Sequence, residues 1–321
     1  MKKIKSGLIT AGPLKCPCSM KNTHLEHPED TILTGDLSVL DWFTEDSYLS
    51  LKMDGAPAIV WGTDPATGTF FVGTKSVFNK KLIKINHSHE EIDRNHVGNV
   101  ANILHHCFDN LPDFPGIIQG DFIGFGGDDM FCPNTITYVF QETIQQDIIV
   151  APHTLYVTTT NDLRDAVASP MIECPDSTEH CLFIFPECEQ LDEDWSGIVS
   201  FARQMSTLCE FIDDKKAKRV KQQLNRCIRE GIVIDDLTQE AIAFDNDMDV
   251  NVLRLWSLVK SIKDDMLFTC SNNGPDAYIG LDECDGEGYV RNNYLGMYKL
   301  VNRESFSHAN FNSTKGWEPA L

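Results

Sequence analysis

Lys52-Met53-Asp54-Gly55 combines residue types and spacing that could do chemistry. The lysine closes the apolar run of YLSLKMDGAPAIVWG, just before an Asp-Gly turn, where a solvated charge is out of place. Deprotonated, it is an amine nucleophile, a state that burial or neighbouring cations favour. Four letters alone fit a surface lysine at a hairpin better than a nucleophile, so the rest of the chain has to decide. Other familiar arrangements are missing from the sequence. GDFIGFGG lacks the spacing of a dinucleotide-binding loop, no GxxxxGK[ST] occurs, and the ten histidines contain no HExxH. Cys16-x-Cys18 and the series Cys174, Cys181 and Cys188 beside His180 could ligate metal, but no CxxC exists. Buried or idle thiols are the better reading of the 11 cysteines. His87, His89, His105 and His106 read most simply as polar surface positions.

Four further segments follow Lys52 in chain order. They are Thr74-Lys75-Ser76, Gln119-Gly120-Asp121-Phe122, Glu287-Gly288-Tyr289-Val290 and Tyr298-Lys299-Leu300-Val301. In that order the five resemble the motifs of the covalent nucleotidyltransferases, which comprise polynucleotide ligases and mRNA capping enzymes. The resemblance covers residues 48–125 and 284–303, and the short gap from Glu287 to Lys299 is similar to phage-type RNA ligases. The whole chain also resembles an uncharacterised group of tailed-phage proteins, a likeness that supplies no activity. Three departures stand out. Pro57 occupies the Arg position of KxDGxR, Met297 replaces the first lysine of the last motif, and Asp121 stands where Glu is usual. Glu230-Gly231-Ile232-Val233 also fits Glu-Gly-x-Val, but it follows a basic helical run and reads as a helix end with Gly as the stop.

The resemblance implies an α+β nucleotidyltransferase (ATP-grasp-like ligase) domain of antiparallel sheets with flanking helices. It also implies an ATP-dependent RNA ligase working through lysyl-AMP. Lys52 and Lys299 would be catalytic, and Lys52, Asp54, Gly55, Lys75, Asp121, Glu287 and Lys299 would hold the nucleotide. Asp121 and Glu287 would hold Mg²⁺ or Mn²⁺, with Arg291 or Arg303 as substitutes for the missing cation. Two alternatives stay open: a nucleotide- or host-protein-binding protein of phage infection without the chemistry, and a transferase whose acceptor is a protein or small molecule.

The elements that must position these residues can be read from periodicity. Leu37, Leu40 and Phe43 have helical spacing within residues 23–46. A strand, a turn at Asp54-Gly55 and a second strand follow, with FFVGTKSVF completing a hairpin after DPATG. Residues 90–109 return to helical spacing, and GIIQGDFIGFGG, ITYVF and TLYVTTT read as strands. From Asp192 to Phe268 the 4-3-3 and 3-4-3 apolar spacings predict a helical insertion, after which strands resume at GEGYVRNN and GMYKLVNR. The expected organisation is an N-terminal core over 1–190, a helical insertion over 191–268 and C-terminal core strands over 269–321. The 22 residues after Lys299 are too few for a C-terminal OB-fold, since small domains need about 50.

Charge bounds the partners. The 321 residues carry a net charge of −21 with 42% hydrophobic content, a globular balance that argues against coating nucleic acid. Lys75, Lys80, Lys81 and Lys84 nevertheless fall in an acid-free stretch. So do Lys215, Lys216, Lys218, Arg219, Lys221, Arg226 and Arg229. These runs predict a narrow basic track for nucleic acid ends, RNA before DNA, on an acidic body able to dock a host protein. No apolar run reaches the ~18–20 residues of a membrane span, and a cytoplasmic location is expected, the host cytoplasm if the chain is phage-encoded.

Overall fold

Alternation of buried and open positions along the strands decides which way each side chain faces. The computed structural model describes residues 25–304 and Phe306. The first part runs α1 (Pro28–Thr31), α2 (Ser38–Trp42), β1 (Tyr48–Leu51), β2 (Ala58–Thr63), β3 (Phe70–Gly73), α3 (His89–Asn95), α4 (Gly98–Asn110) and β4 (Ile117–Phe125). It continues through β5 (Met130–Phe131), β6 (Thr137–Val139), β7 (Ile148–Val157), β8 (Val167–Pro170), β9 (Cys181–Phe183) and β10 (Cys188–Gln190). Four helices follow: α5 (Ser196–Ser206), α6 (Asp214–Arg229), α7 (Asp236–Asp245) and α8 (Val250–Phe268). The chain closes with β11 (Cys270–Asn272), β12 (Asp276–Ile279), β13 (Asp282–Cys284), β14 (Tyr289–Asn293) and β15 (Gly296–Leu300).

This is an α+β protein with antiparallel sheets. The largest sheet has the order β3-β2-β4-β7-β8, with β9 added to β7 as a parallel neighbour. Ile59, Trp61, Ile118, Phe122, Ile148 and Val150 cover one face and pack beneath Leu104 and Cys107 of α4. A second sheet, β1-β14-β15, takes its strands from both parts of the chain. Its apolar face, with Leu49, Tyr289 and Leu300, packs on Val199 and Ala202 of α5 and on Leu255, Val259 and Ile262 of α8. The helical segment leaves at β10 and returns at β11, and those two strands pair, Cys188 opposite Asn272. It therefore shares a core with the second sheet. Smaller strands make a third sheet, β13-β12-β6-β5.

Several expectations change. β1 and β2 do not form a hairpin: β1 pairs with β14 and β2 with β3 and β4, so the Asp54-Gly55 turn carries the chain from one sheet to another. The β2–β3 hairpin does form, across a turn in which Asp64 accepts from the Ala66 N–H at 2.9 Å. Lys75 opens a 3-10 turn, residues 75–78, instead of lying on a strand. Thr74 caps that turn by accepting from the Ser76 N–H, satisfying a donor that a strand would have paired. Residues 90–109 divide into α3 and α4, with Gly98 at φ +62 beginning the second. Glu230 does end α6, with Gly231 at φ +69 just beyond. Cys16 and Cys18 lie outside the described residues.

Candidate active site

The second sheet presents one transverse row to a cavity. Ser50 pairs with Val290 and Val290 with Lys299, so all three project from one face. The adjoining row, Leu51, Tyr289 and Leu300, projects from the other. Lys52 extends the first row by one step, its backbone N–H donating to the Gly288 carbonyl at 2.8 Å. By alternation Glu287 would share the side of Tyr289. Gly288 breaks that alternation at φ +131, where an added Cβ would lie 2.2 Å from the Leu300 carbonyl oxygen. Glu287 thereby reaches the cavity, and Lys52 Nζ donates to its Oε2 at 2.5 Å.

The turn after Lys52 is held from below. Asp54 is buried, and its carboxylate accepts from Asn134 Nδ2 at 2.7 Å and from the backbone N–H groups of Thr135 and Ile136 at 2.8 and 3.1 Å. The Asp54 N–H donates to the Tyr138 hydroxyl at 2.6 Å. Asp54 is thus spent on anchoring, and neither it nor Gly55 lines the cavity, unlike the direct nucleotide contact expected of both. Gly55 matters through space: a Cβ there would stand 2.7 Å from that of Asp121. The Ala56 N–H donates to the Phe122 carbonyl and the Phe122 N–H to that of Pro57, both at 3.0 Å, tying the turn to β4.

The opposite wall comes from the large sheet. Gln119 and Asp121 alternate on β4 away from the helix-covered face, and β7 adds His153. His153 Nε2 lies 3.7 Å from Asp121 Oδ2 and 3.3 Å from Gln119 Nε2, while the Tyr156 hydroxyl donates to Gln119 Oε1 at 2.8 Å. Lys75 joins them from its 3-10 turn. Together these groups line a cavity of 290 Å³ that contains Lys52, Lys75, Asp121, Glu287 and Lys299. Ala151, Pro152, Ile184, Phe185 and Pro186 give it an apolar side.

Burial pushes the Glu287 carboxyl up, against the opposing pull of Lys52. Burial likewise pushes Lys299 down, helped by the charge of Lys52. Both shifts bring the acid and the base closer to neutrality, the condition in which protons move easily between groups. Tyr156 is raised to about 12 by burial, so its hydroxyl stays a donor.

The expected substitutes for the missing cation are elsewhere. Arg291 is buried and donates to the Trp42 and Glu45 carbonyls, both at 2.8 Å. Arg303 pairs with Glu29 and Asp30, both at 2.9 Å. Neither lines the cavity. No group of three or more His, Cys, Asp or Glu side chains gathers into a metal cluster among the described residues, the Cys174, Cys181 and Cys188 series included. Burial raises the Cys174 and Cys181 thiols to about 12, as idle thiols require. Asp121 and Glu287 are the two carboxylates that line the cavity, one from each wall, and hard cations such as Mg²⁺ take oxygen ligands of that kind. Sequence reasoning missed His153, Gln119 and Tyr156, whose proximity comes from the β4–β7 pairing of Gln119 with Thr154.

Residues 22–249 and 236–315 match the model of DUF6267, a family of unknown function. The chain belongs to DUF6267. Comparison with curated proteins and with solved structures returned no match. The cavity of this DUF6267 chain draws residues from both matched segments, Lys52 to His153 from the first and Glu287 and Lys299 from the second.

Proposed function

We propose that the chain is an ATP-dependent polynucleotide ligase, acting on RNA, that works through a covalent lysyl-AMP intermediate. One observation carries the reading: five residues spread over 247 positions, chosen by motif order alone, line one cavity. An unrelated scatter of lysines and acids has no reason to converge in this way.

The chemistry follows from the positions. Lys52 Nζ attacks the α-phosphorus of ATP, forming an N–P bond as the P–O bond to pyrophosphate breaks. Attack needs the free amine, and Glu287 Oε2 at 2.5 Å is the acceptor in contact with its proton. Lys299 lies on the same sheet face as Lys52 and neutralises charge on the α-phosphate. Lys75, on the opposite wall, meets the acceptor's phosphate. With ATP bound, Asp121 and Glu287 would hold Mg²⁺, whose charge would stabilise the departing pyrophosphate. The apolar side supplies a surface for the base, in a volume near the lower end of the ~300–1,000 Å³ of small-molecule sites. AMP passes to a 5′-phosphate, and a 3′-hydroxyl then displaces it and joins the strands.

The acceptor approaches from the first basic run. Lys75, Lys80 and Lys81 are exposed, and the 79–84 loop folds back so that the Lys84 N–H donates to Ser76 at 3.3 Å. The second run is partly engaged in surface contacts within the chain: Lys216 donates to the Asp247 carbonyl, Lys221 pairs with Glu26 and Arg226 with Glu230. A second reading, nucleotide binding without transfer, is favoured by Pro57 in place of Arg and by the distance of Arg291 and Arg303 from the cavity. Incubation with ATP, Mg²⁺ and 5′-phosphorylated single-stranded RNA decides between them. The ligase yields adenylylated ends and joined strands. Nucleotide binding with neither product, on RNA or on nicked duplexes, would contradict it, and label on a protein or small molecule would change the acceptor.

A further inference from the structure

Residues 215–229 carry seven Lys and Arg and no acid, and the proposed reaction uses none of them. All lie on α6, where Ala217, Val220, Leu224 and Ile228 recur at helical spacing. That stripe is buried in one core with Leu33, Val252 and Trp256, which turns the cations outward or to the flanks. Asp213 and Asp214 precede the run and Glu230 ends it. The result is a basic strip about 20 Å long, at about 1.5 Å per residue, on a chain of net charge −21.

Both flanks of the strip are tied down. On one, Lys216 donates to the Asp247 carbonyl at 2.7 Å and Gln223 donates to Asp245, joining α6 to the end of α7. On the other, Lys221 donates to Glu26 at 2.8 Å and Asn225 accepts from Arg303. This second flank borders the cavity: Leu25 lines it, and the Glu26 carbonyl accepts from the Lys299 N–H at 3.3 Å. Between the flanks Lys215, Lys218 and Arg219 are exposed, with no ion-pair partner among the described residues. Lys218 stands one turn before Lys221, on the cavity side. Lys75 lines the opposite wall, so free cations flank the cavity on two sides.

We propose that the outer face of α6 binds the sugar–phosphate backbone of single-stranded RNA, holding the body of the acceptor whose end enters the cavity. The choice of partner rests on the ligase reading, and the position of the surface rests on α6 itself. The helix has no aromatic side chain on which a base could stack, so it grips phosphates without reading sequence. The acidic remainder of the surface repels RNA and guides it onto the strip.

Fluorescence-anisotropy titration of the full chain with 5′-phosphorylated single-stranded RNA, at about 50 to 200 mM salt, tests this. Lys215→Gln, Lys218→Gln and Arg219→Gln together remove three phosphate contacts. They should lower the slope of log affinity against log salt by about 2 and weaken binding at ~50 mM salt about tenfold. Arg94→Gln, which removes an exposed cation on α3, should change neither. Circular dichroism and Tm matching the unaltered chain verify folding of each variant. Lysyl-AMP formation by the unaltered chain is measured separately. RNA binding that depends on α6 in a chain that forms no adduct would keep the surface and reject the ligase. Slope and affinity unchanged in the triple variant, an equal loss in Arg94→Gln, or binding of polyglutamate in place of RNA would overturn the proposal.

Discussion

Two clusters of charge lie close together in this molecule, and they are built on opposite plans. In the first, Glu29 accepts from Lys263 at 3.2 Å and from Arg303 at 2.9 Å, and Arg303 also pairs with Asp30. Asp30 in turn accepts from Trp256 Nε1 at 3.0 Å. The Lys263 and Glu29 side chains are both 0% exposed, and each charge has an opposite partner. In the second cluster Lys52 pairs with Glu287, but Lys75 and Lys299 have no ion-pair partner among the described residues and face the cavity. The first cluster is closed and welds α1, α8 and the segment after β15 together. The second holds cations in excess of what its carboxylates absorb. Balanced charge makes a scaffold, whereas unbalanced charge beside a cavity is a place for a phosphate.

The comparison breaks most readily at Glu29. Glu29→Ala strands Lys263 in the interior and should cost about 3–5 kcal/mol in urea denaturation, the penalty for breaking a buried pair. Gly288→Ala comes next. It forces a Cβ onto the Leu300 carbonyl at positive φ and should cost about 1–3 kcal/mol while turning Glu287 away from Lys52. Lys52→Ala leaves Glu287, only 10% exposed, without its partner but beside an open cavity, and should cost about 1–3 kcal/mol, less than Glu29→Ala. If Lys52→Ala destabilised the protein as much as Glu29→Ala, the division into scaffold and site would fail.

The smallest effect lies in pH. Glu29 is penalised by burial but pulled below the usual carboxylate range, first by Lys263 and then by His27 and Arg303. Its contribution to stability is therefore complete above that range and is lost as pH falls below it. Glu287 has the opposite sign. Burial raises it, so its contribution is present at low pH and lost as pH rises through the raised value. Glu287→Gln should flatten the stability profile just above pH ~4.5, and Glu29→Gln should flatten it below.

Much of the site is legible in the sequence because strand chemistry and motif order are local signals. Lys52, Asp121, Glu287 and Lys299 each lie on or next to a strand that alternation predicts, and the helices of 191–268 show their apolar spacing plainly. What is hidden depends on pairing across distance. Glu29 and Arg303 are 274 positions apart, and nothing in their neighbourhoods announces the bond. Asp54 reads as a ligand in KxDG, and only the Asn134 side chain and the Thr135 and Ile136 backbone reveal it as an anchor.

The central claim is that Lys52 is a nucleophile in a phosphate-binding cavity. It is tested most directly by incubating the full chain with α-labelled ATP and Mg²⁺, denaturing it, and mapping the label by peptide mass. The account predicts one acid-labile AMP adduct on the peptide containing Lys52, absent from Lys52→Ala and retained in Glu29→Gln. No adduct on the unaltered protein with ATP, GTP or NAD, or an adduct that persists in Lys52→Ala, would contradict it.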